Sequence, residues 1–271
     1  MSSSWSIAVT DLQVPRLCET LALVWSQRLK RLRGCKIDDY RFRHGLFTIS
    51  QAARLVGMNA GTLETWAHGY ERRPADRPVV KQGPIVTSVP PSSGNRSIPF
   101  VGLVEATVVQ AFRQTGLPLQ RIRRALELLA HQGELEHALA SSLLFSDGAN
   151  VLYDYARREG DLQLSLLTLT EVRTGQRVFH EVIQQYLTRI TFGDQWATEL
   201  IVPVTERPLL CVRPSVADGE PIFINGGAPL SAVRSRAQAG EPVASISLDY
   251  GVPAADIDEA LRAVWPQAIA A

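Results

Sequence analysis

The chain has 271 residues, of which 45% are hydrophobic and 20% charged, and its 28 Lys and Arg residues face 27 Asp and Glu residues. This balance excludes an intrinsically disordered tail, a strongly basic nucleic-acid-coating protein, and a collagen-like or coiled-coil rod. The length predicts about two domains. The sequence has neither an apolar run of about 18 residues nor a secretory leader pattern, so we expect a cytoplasmic protein with no membrane partner.

The near-neutral net charge of the whole chain is the sum of two halves with opposite charge. Residues 1–159 carry 20 Lys and Arg against 14 Asp and Glu, a net charge of +6, and residues 160–271 carry 8 against 13, a net charge of −5. A basic half beside an acidic half is typical of a nucleic-acid-binding module joined to a partner-binding module. Solvated helix faces would give the same pattern, so charge alone does not decide between the two interpretations.

The first elements predicted in chain order are helices. Residues 11–33 have apolar side chains at helical spacing and a cationic last turn, which predicts an amphipathic helix that either contacts phosphates or simply packs. Thr48 is expected to cap a helix that ends at Val56, where Gly57 terminates it. A second short helix is predicted over 60–68.

A hairpin and more helices are predicted next. Two strands, over 84–87 and 98–100, flank a basic tip rich in Pro, Gly and Ser. Beyond residue 131 the pattern is mixed, until a short strand over 221–224 precedes a helical C-terminal section. The further helices are predicted over 101–115, 119–130, 229–239, 242–250 and 254–265.

The two short helices within residues 48–68 form the strongest functional signal. Such a pair needs a small residue where the helices cross, here Ala53, and apolar anchors on the second helix, here Leu63 and Trp66. In DNA-binding proteins of this type the second helix enters the major groove and the first crosses the phosphate backbone. A helical hairpin used only for packing has the same pattern, but the basic surroundings favour DNA binding. The candidate DNA contacts are Gln51, Arg54, Asn59, Thr62, Thr65, His68, Arg72, Arg73 and Arg96.

The same region resembles a known family. Residues 48–71, the basic hairpin, and the segments 100–106 and 113–124 together resemble the winged DNA-binding domain of MerR-like regulators, over roughly 46–130. A MerR regulator would continue into one long dimerising helix and a ligand pocket. This chain instead reaches Gly133 and becomes irregular.

The C-terminal section resembles a small domain of unknown function that is common among bacterial antitoxins. Asp249, Tyr250, Ala260 and Leu261 match that family's pattern. The turn Thr and Arg of the family are replaced, and two glycines stand there, Gly226 and Gly227. Together with the winged domain, this section makes the chain resemble a VapB-type antitoxin, which implies a PIN-domain ribonuclease toxin as partner. The implied toxin contacts, which could equally be a solvated face, are Asp249, Tyr250, Asp256, Asp258 and Glu259.

Motifs for catalysis and cofactors are not found in the sequence. The five histidines lack zinc-peptidase spacing, and no phosphate-binding or dinucleotide-binding glycine pattern is present. The three cysteines match no metal-binding spacing. We therefore expect a protein that is not an enzyme and that takes no metal or cofactor.

The predicted fold is mainly α with small β elements, in four parts. An N-terminal basic helix occupies 1–44, a MerR-like winged helix-turn-helix occupies 45–130, an α/β connector that dimerises occupies 131–212, and a three-helix, helix-turn-helix-like domain occupies 213–271. The predicted function is a homodimeric antitoxin that binds double-stranded operator DNA, represses its own operon and neutralises its toxin. The alternatives are a stand-alone regulator that responds to a small molecule, and an interaction scaffold with no role at DNA.

Overall fold

A computed structural model of the chain describes residues 39–72, 79–116, 118–123, 126, 137–142, 185–193 and 195–264. The fold over these residues is mixed, with α-helices and short antiparallel strands whose bounds are given below. The predicted helix over 11–33 lies outside the described residues, as do Arg73 and most of the predicted connector.

Four helices form the N-terminal unit: α1 (Tyr40–Arg43), α2 (Ile49–Val56), α3 (Ala60–His68) and α4 (Phe100–Gln114). The helix-turn-helix formed by α2 and α3 has the predicted bounds.

Local sequence accounts for the ends of α2. The Thr48 hydroxyl accepts a hydrogen bond from the Gln51 N–H (3.2 Å), and the Gln51 side-chain oxygen accepts one from the Thr48 N–H (2.9 Å). This reciprocal pair satisfies two donors that the first turn of a helix otherwise leaves open. Gly57 ends α2 in the left-handed conformation, with φ of 74°.

The hairpin is not where the sequence predicted it. The structure pairs β1 (Tyr70–Arg72) with β2 (Val80–Gln82) in antiparallel register, with Tyr70 opposite Gln82. The predicted strands over 84–87 and 98–100 do not pair with each other, so that part of the prediction is wrong.

Both misassigned segments find hydrogen-bond partners elsewhere. The N–H groups of Ile85 and Val86 both donate to the Trp66 carbonyl, which places this segment against α3. Ile98 instead bridges Phe47, just before α2. Both segments resemble strands in sequence, but the hydrogen-bond partners of such apolar segments are set by tertiary packing.

Helix α4 is the centre of the N-terminal unit. Twelve of its fifteen residues are buried, and it packs against α1, α2, α3 and a strand of the second unit. Gly102 permits close packing, because a Cβ there would overlap the Thr87 carbonyl oxygen. A helix that is buried on nearly all sides has apolar residues all around its sequence pattern, whereas a surface helix has them along one stripe only.

The second unit is a four-stranded antiparallel sheet in sequential order: β3 (Ile190–Gly193), β4 (Trp196–Ile201), β5 (Leu210–Val212) and β6 (Ile222–Phe223). The last two strands pair with Cys211 opposite Ile222. The sheet therefore crosses the boundary predicted at 212/213.

Three helices close the second unit: α5 (Leu230–Gln238), α6 (Val243–Tyr250) and α7 (Ala254–Val264). Pro229 and Pro242 stand just before α5 and α6 with φ near −60°, a value suited to entering a helix. One cluster of buried apolar side chains includes residues of both units. Within the described residues, no helix is both long and apolar enough to cross a membrane.

Candidate nucleic-acid interface

The helix-turn-helix is held by the three side chains that the sequence singled out for its core. Ala53 on α2 is 1% exposed, and Leu63 and Trp66 on α3 are 0% and 1% exposed. The small Ala53 side chain lets the two helices approach, and the larger pair fixes α3 against the rest of the core. The surface of α3 that remains open is therefore determined by these buried contacts.

The open surface of α3 is polar, but two of its polar groups already have partners. The Asn59 side-chain oxygen accepts the Gly61 N–H (2.8 Å), which caps the helix. The Thr65 hydroxyl donates to the Gly61 carbonyl (2.8 Å). Thr62 and Thr65 are half-buried, whereas His68 is exposed. Of the predicted base contacts on α3, His68 is thus the most accessible.

Three other predicted contacts lie together outside α3. Gln51 and Arg54 are exposed one turn apart on α2, and Arg96 is exposed in the loop before α4. All three line a cavity of about 420 Å³ whose other wall includes Glu220 and Arg234 of the second unit. The cationic groups of Arg54 and Arg96 are suited to an anion such as a phosphate. The backbone of Arg72 lies in β1.

A turn with unusual backbone conformation joins the two units beside this cavity. Ala217, Asp218 and Gly219 have positive φ values of 48°, 55° and 74°. The absence of a side chain at Gly219 lets Leu46 of the N-terminal unit pack there, since a Cβ would lie 2.5 Å from a Leu46 methyl carbon. The Tyr40 hydroxyl donates to the Asp218 carboxylate (3.4 Å), and burial, together with this carboxylate, raises the pKa of Tyr40.

Most of the residues predicted to contact a toxin make contacts within the chain. Asp256, which is 6% exposed, lies 3.0 Å from the Arg207 guanidinium, and Glu259 lies 2.5 Å from the same group. These pairs tie the loop after β4 to α7. Asp258 is exposed on α7, and its carboxylate makes no ion pair within the described part of the chain.

A second arginine organises the other end of this surface. Arg236 lies 2.5 Å from Asp249 and 5.2 Å from the centre of the Tyr250 ring. It also pairs with Glu241, and this hydrogen bond lowers the pKa of that carboxyl group. Among the described residues, no cluster of three or more His, Cys, Asp or Glu side chains could hold a metal ion.

A family model and two curated relatives match this chain. Residues 45–126 match the family model described as "Putative DNA-binding HTH domain". The chain is 38% identical over 232 residues to "Putative antitoxin VapB45" of Mycobacterium tuberculosis (strain ATCC 25618 / H37Rv), which is 83% of this chain and 96% of that protein. It is 25% identical over 222 residues to "Uncharacterized protein Rv2308" of the same strain, which is 80% of this chain and 88% of that protein.

A solved structure shares the fold. The crystal structure of Rv2018 from Mycobacterium tuberculosis matches with a TM-score of 0.63 and 30% sequence identity, over 82% of this chain and 99% of that one. The resemblance to a VapB-type antitoxin is therefore confirmed at the level of the family. The likeness of the N-terminal unit to a MerR-like winged domain, and of the C-terminal section to a small antitoxin domain, stays a prediction. The chain belongs to the VapB-type antitoxin family, and its N-terminal unit is a helix-turn-helix DNA-binding domain.

Proposed function

We propose that this antitoxin neutralises a PIN-domain ribonuclease toxin and, as a homodimer, represses its own operon by binding operator DNA. The observation that carries the proposal is a capped helix-turn-helix with an open polar α3 face, within a chain that is 38% identical to an antitoxin-named protein. A dimer would place two copies of α3 about 34 Å apart, one turn of DNA, at a palindromic site.

In this proposal the β1–β2 hairpin (Tyr70–Arg72 with Val80–Gln82) is the wing of a MerR-like domain. The hairpin directly follows α3, so a wing there would reach DNA beside the groove that α3 enters. The three C-terminal helices are the part proposed to contact the toxin. In that part, Asp258 is the exposed carboxylate on α7.

The DNA-binding part is tested by replacing Arg54 with alanine. We expect operator affinity to fall about tenfold and the salt dependence of binding to decrease by about one phosphate contact, because the guanidinium is expected to neutralise one phosphate. Fluorescence anisotropy with operator duplex at several salt concentrations measures both quantities. Arg262→Ala, which removes an exposed arginine from α7, is the matched control and should change neither. Unchanged affinity and salt slope for Arg54→Ala would contradict the placement of α2 at the backbone.

The toxin-binding part is tested by charge reversal at Asp258. The full-length chain is co-expressed with the PIN-domain product of the neighbouring reading frame, and we expect the wild type to co-purify with it and to restore growth. Asp258→Lys should weaken co-purification by about tenfold, because the introduced lysine would face the basic toxin surface that the carboxylate is proposed to bind. Glu64→Lys, an exposed charge reversal on α3, should leave co-purification unchanged. If the wild-type chain neither retains the toxin nor restores growth, the toxin assignment is wrong.

A further inference from the structure

The exposed face of α3 presents one acidic side chain where a DNA-binding helix usually presents cations or amides. Gly61, Glu64 and His68 are all exposed. Their spacing of three and four residues places them on one side of the helix. The side-chain oxygens of Asn59 and Thr65 are engaged with the backbone of Gly61. Across the described residues, the side chains of Glu64 and His68 make no hydrogen bond or ion pair within the chain.

A glycine one turn before Glu64 lets this face approach a groove closely. A Cβ at Gly61 would lie 3.3 Å from the Asn59 cap oxygen, so a larger residue would press on the cap. The position of Gly61 is explained by the cap and by the open surface in front of it.

The chemistry of a carboxylate limits what Glu64 can recognise. An ionised carboxylate only accepts hydrogen bonds, and it is repelled by phosphates. In the major groove, guanine offers acceptors at N7 and O6 and thymine offers an acceptor and a methyl group. Donors are found on the exocyclic amino groups of cytosine and adenine, and the common pairing of an acidic side chain is with cytosine N4.

We propose that Glu64 is a specificity-determining residue, whose carboxylate accepts a hydrogen bond from the N4 amino group of one cytosine in each operator half-site. This assignment rests on the proposed operator binding through α3. Attraction to DNA would then come from arginines such as Arg54 and Arg96, while Glu64 rejects half-sites that place an acceptor where its carboxylate reaches the base edge.

The test is selection of bound duplexes from a randomised pool with the full-length wild type, Glu64→Ala and Glu64→Gln. The wild type should require cytosine at one position of each half-site, with about tenfold to hundredfold discrimination. Glu64→Ala should lose the preference at that position alone and bind non-specific DNA more tightly. Glu64→Gln should move the preference from cytosine to adenine, because an amide pairs with adenine N6 and N7. Glu206→Ala, which removes an exposed glutamate from the second unit, should select the wild-type site.

Three results would overturn the assignment. Identical preferred sites for the wild type and Glu64→Ala would show that the carboxylate reads no base. Suppose that both Glu64 variants bind all duplexes more weakly, whatever the base at each operator position, and keep the melting temperature of the wild type. Glu64 would then contribute to sequence-independent affinity and not to base recognition. A wild-type chain that selects no sequence at all would refute the proposed operator binding, which distinguishes that failure from the first two.

Discussion

Replacement of Trp66 by alanine is expected to lower the free energy of unfolding by about 3–5 kcal/mol and to abolish sequence-specific DNA binding. The Trp66 side chain is 1% exposed, so its removal leaves a large cavity in the core of the helix-turn-helix. The Trp66 carbonyl also accepts the N–H groups of Ile85 and Val86. Any shift of α3 into the cavity would weaken both hydrogen bonds and misplace the exposed face of α3.

Urea unfolding followed by circular dichroism and DNA-binding anisotropy measure the two effects. Trp66→Phe keeps an aromatic ring at the site and should lose less than half as much stability. His68 lies on the exposed side of the same helix. His68→Ala should therefore change the free energy of unfolding by less than about 0.5 kcal/mol, yet it should still weaken DNA binding. An unfolding midpoint for Trp66→Ala equal to that of the wild type would refute a core role for this ring.

The helices could be predicted because their end signals are local. Thr48, Gly57 and Asn59 cap or terminate α2 and α3 through groups within four residues along the chain. Pro229 and Pro242 start α5 and α6 in the same local manner. Such signals depend on backbone donors and acceptors at helix ends rather than on the tertiary fold.

The pairing of the strands could not be predicted in the same way, because strand partners are distant in sequence. Residues 84–87 were predicted as a strand, yet the N–H groups of Ile85 and Val86 bond to α3 and not to a neighbouring strand. Ile98 pairs with Phe47, about fifty residues before it. The pairing of β5 with β6 likewise joins residues on the two sides of the domain boundary predicted at 212/213.

The candidate site, too, could be predicted only in part from the sequence. The sequence indicated which residues of the helix-turn-helix are polar and near the surface, but not which of them already have partners. Thr65 bonds back to its own helix, and Asp256 is buried beside Arg207. Glu64 is not among the residues predicted to contact DNA, yet in the structure it is exposed on the same face of α3 as His68.

A buried polar cluster behind the helix-turn-helix gives the second large expected effect. Glu105 on α4 is 3% exposed, and its carboxylate accepts the Thr87 N–H at 2.6 Å. His137 Nδ1 lies 3.1 Å from the other oxygen of Glu105 and 2.8 Å from the Thr87 hydroxyl. The cluster thus joins the segment behind α3, the central helix and the segment before the sheet.

Replacing Glu105 with alanine is expected to lower the free energy of unfolding by about 2–4 kcal/mol, since it leaves the buried Thr87 N–H without an acceptor and opens a cavity beside α4. Glu105→Gln keeps an oxygen for Thr87 and should lose about half as much, whereas Glu64→Gln on the surface should lose almost nothing. In a double-mutant cycle with His137→Ala, the two effects should be clearly non-additive, because the residues share one hydrogen bond. Equal stability of Glu105→Ala and the wild type, or strict additivity in the cycle, would contradict this account of how α4 holds the helix-turn-helix in place.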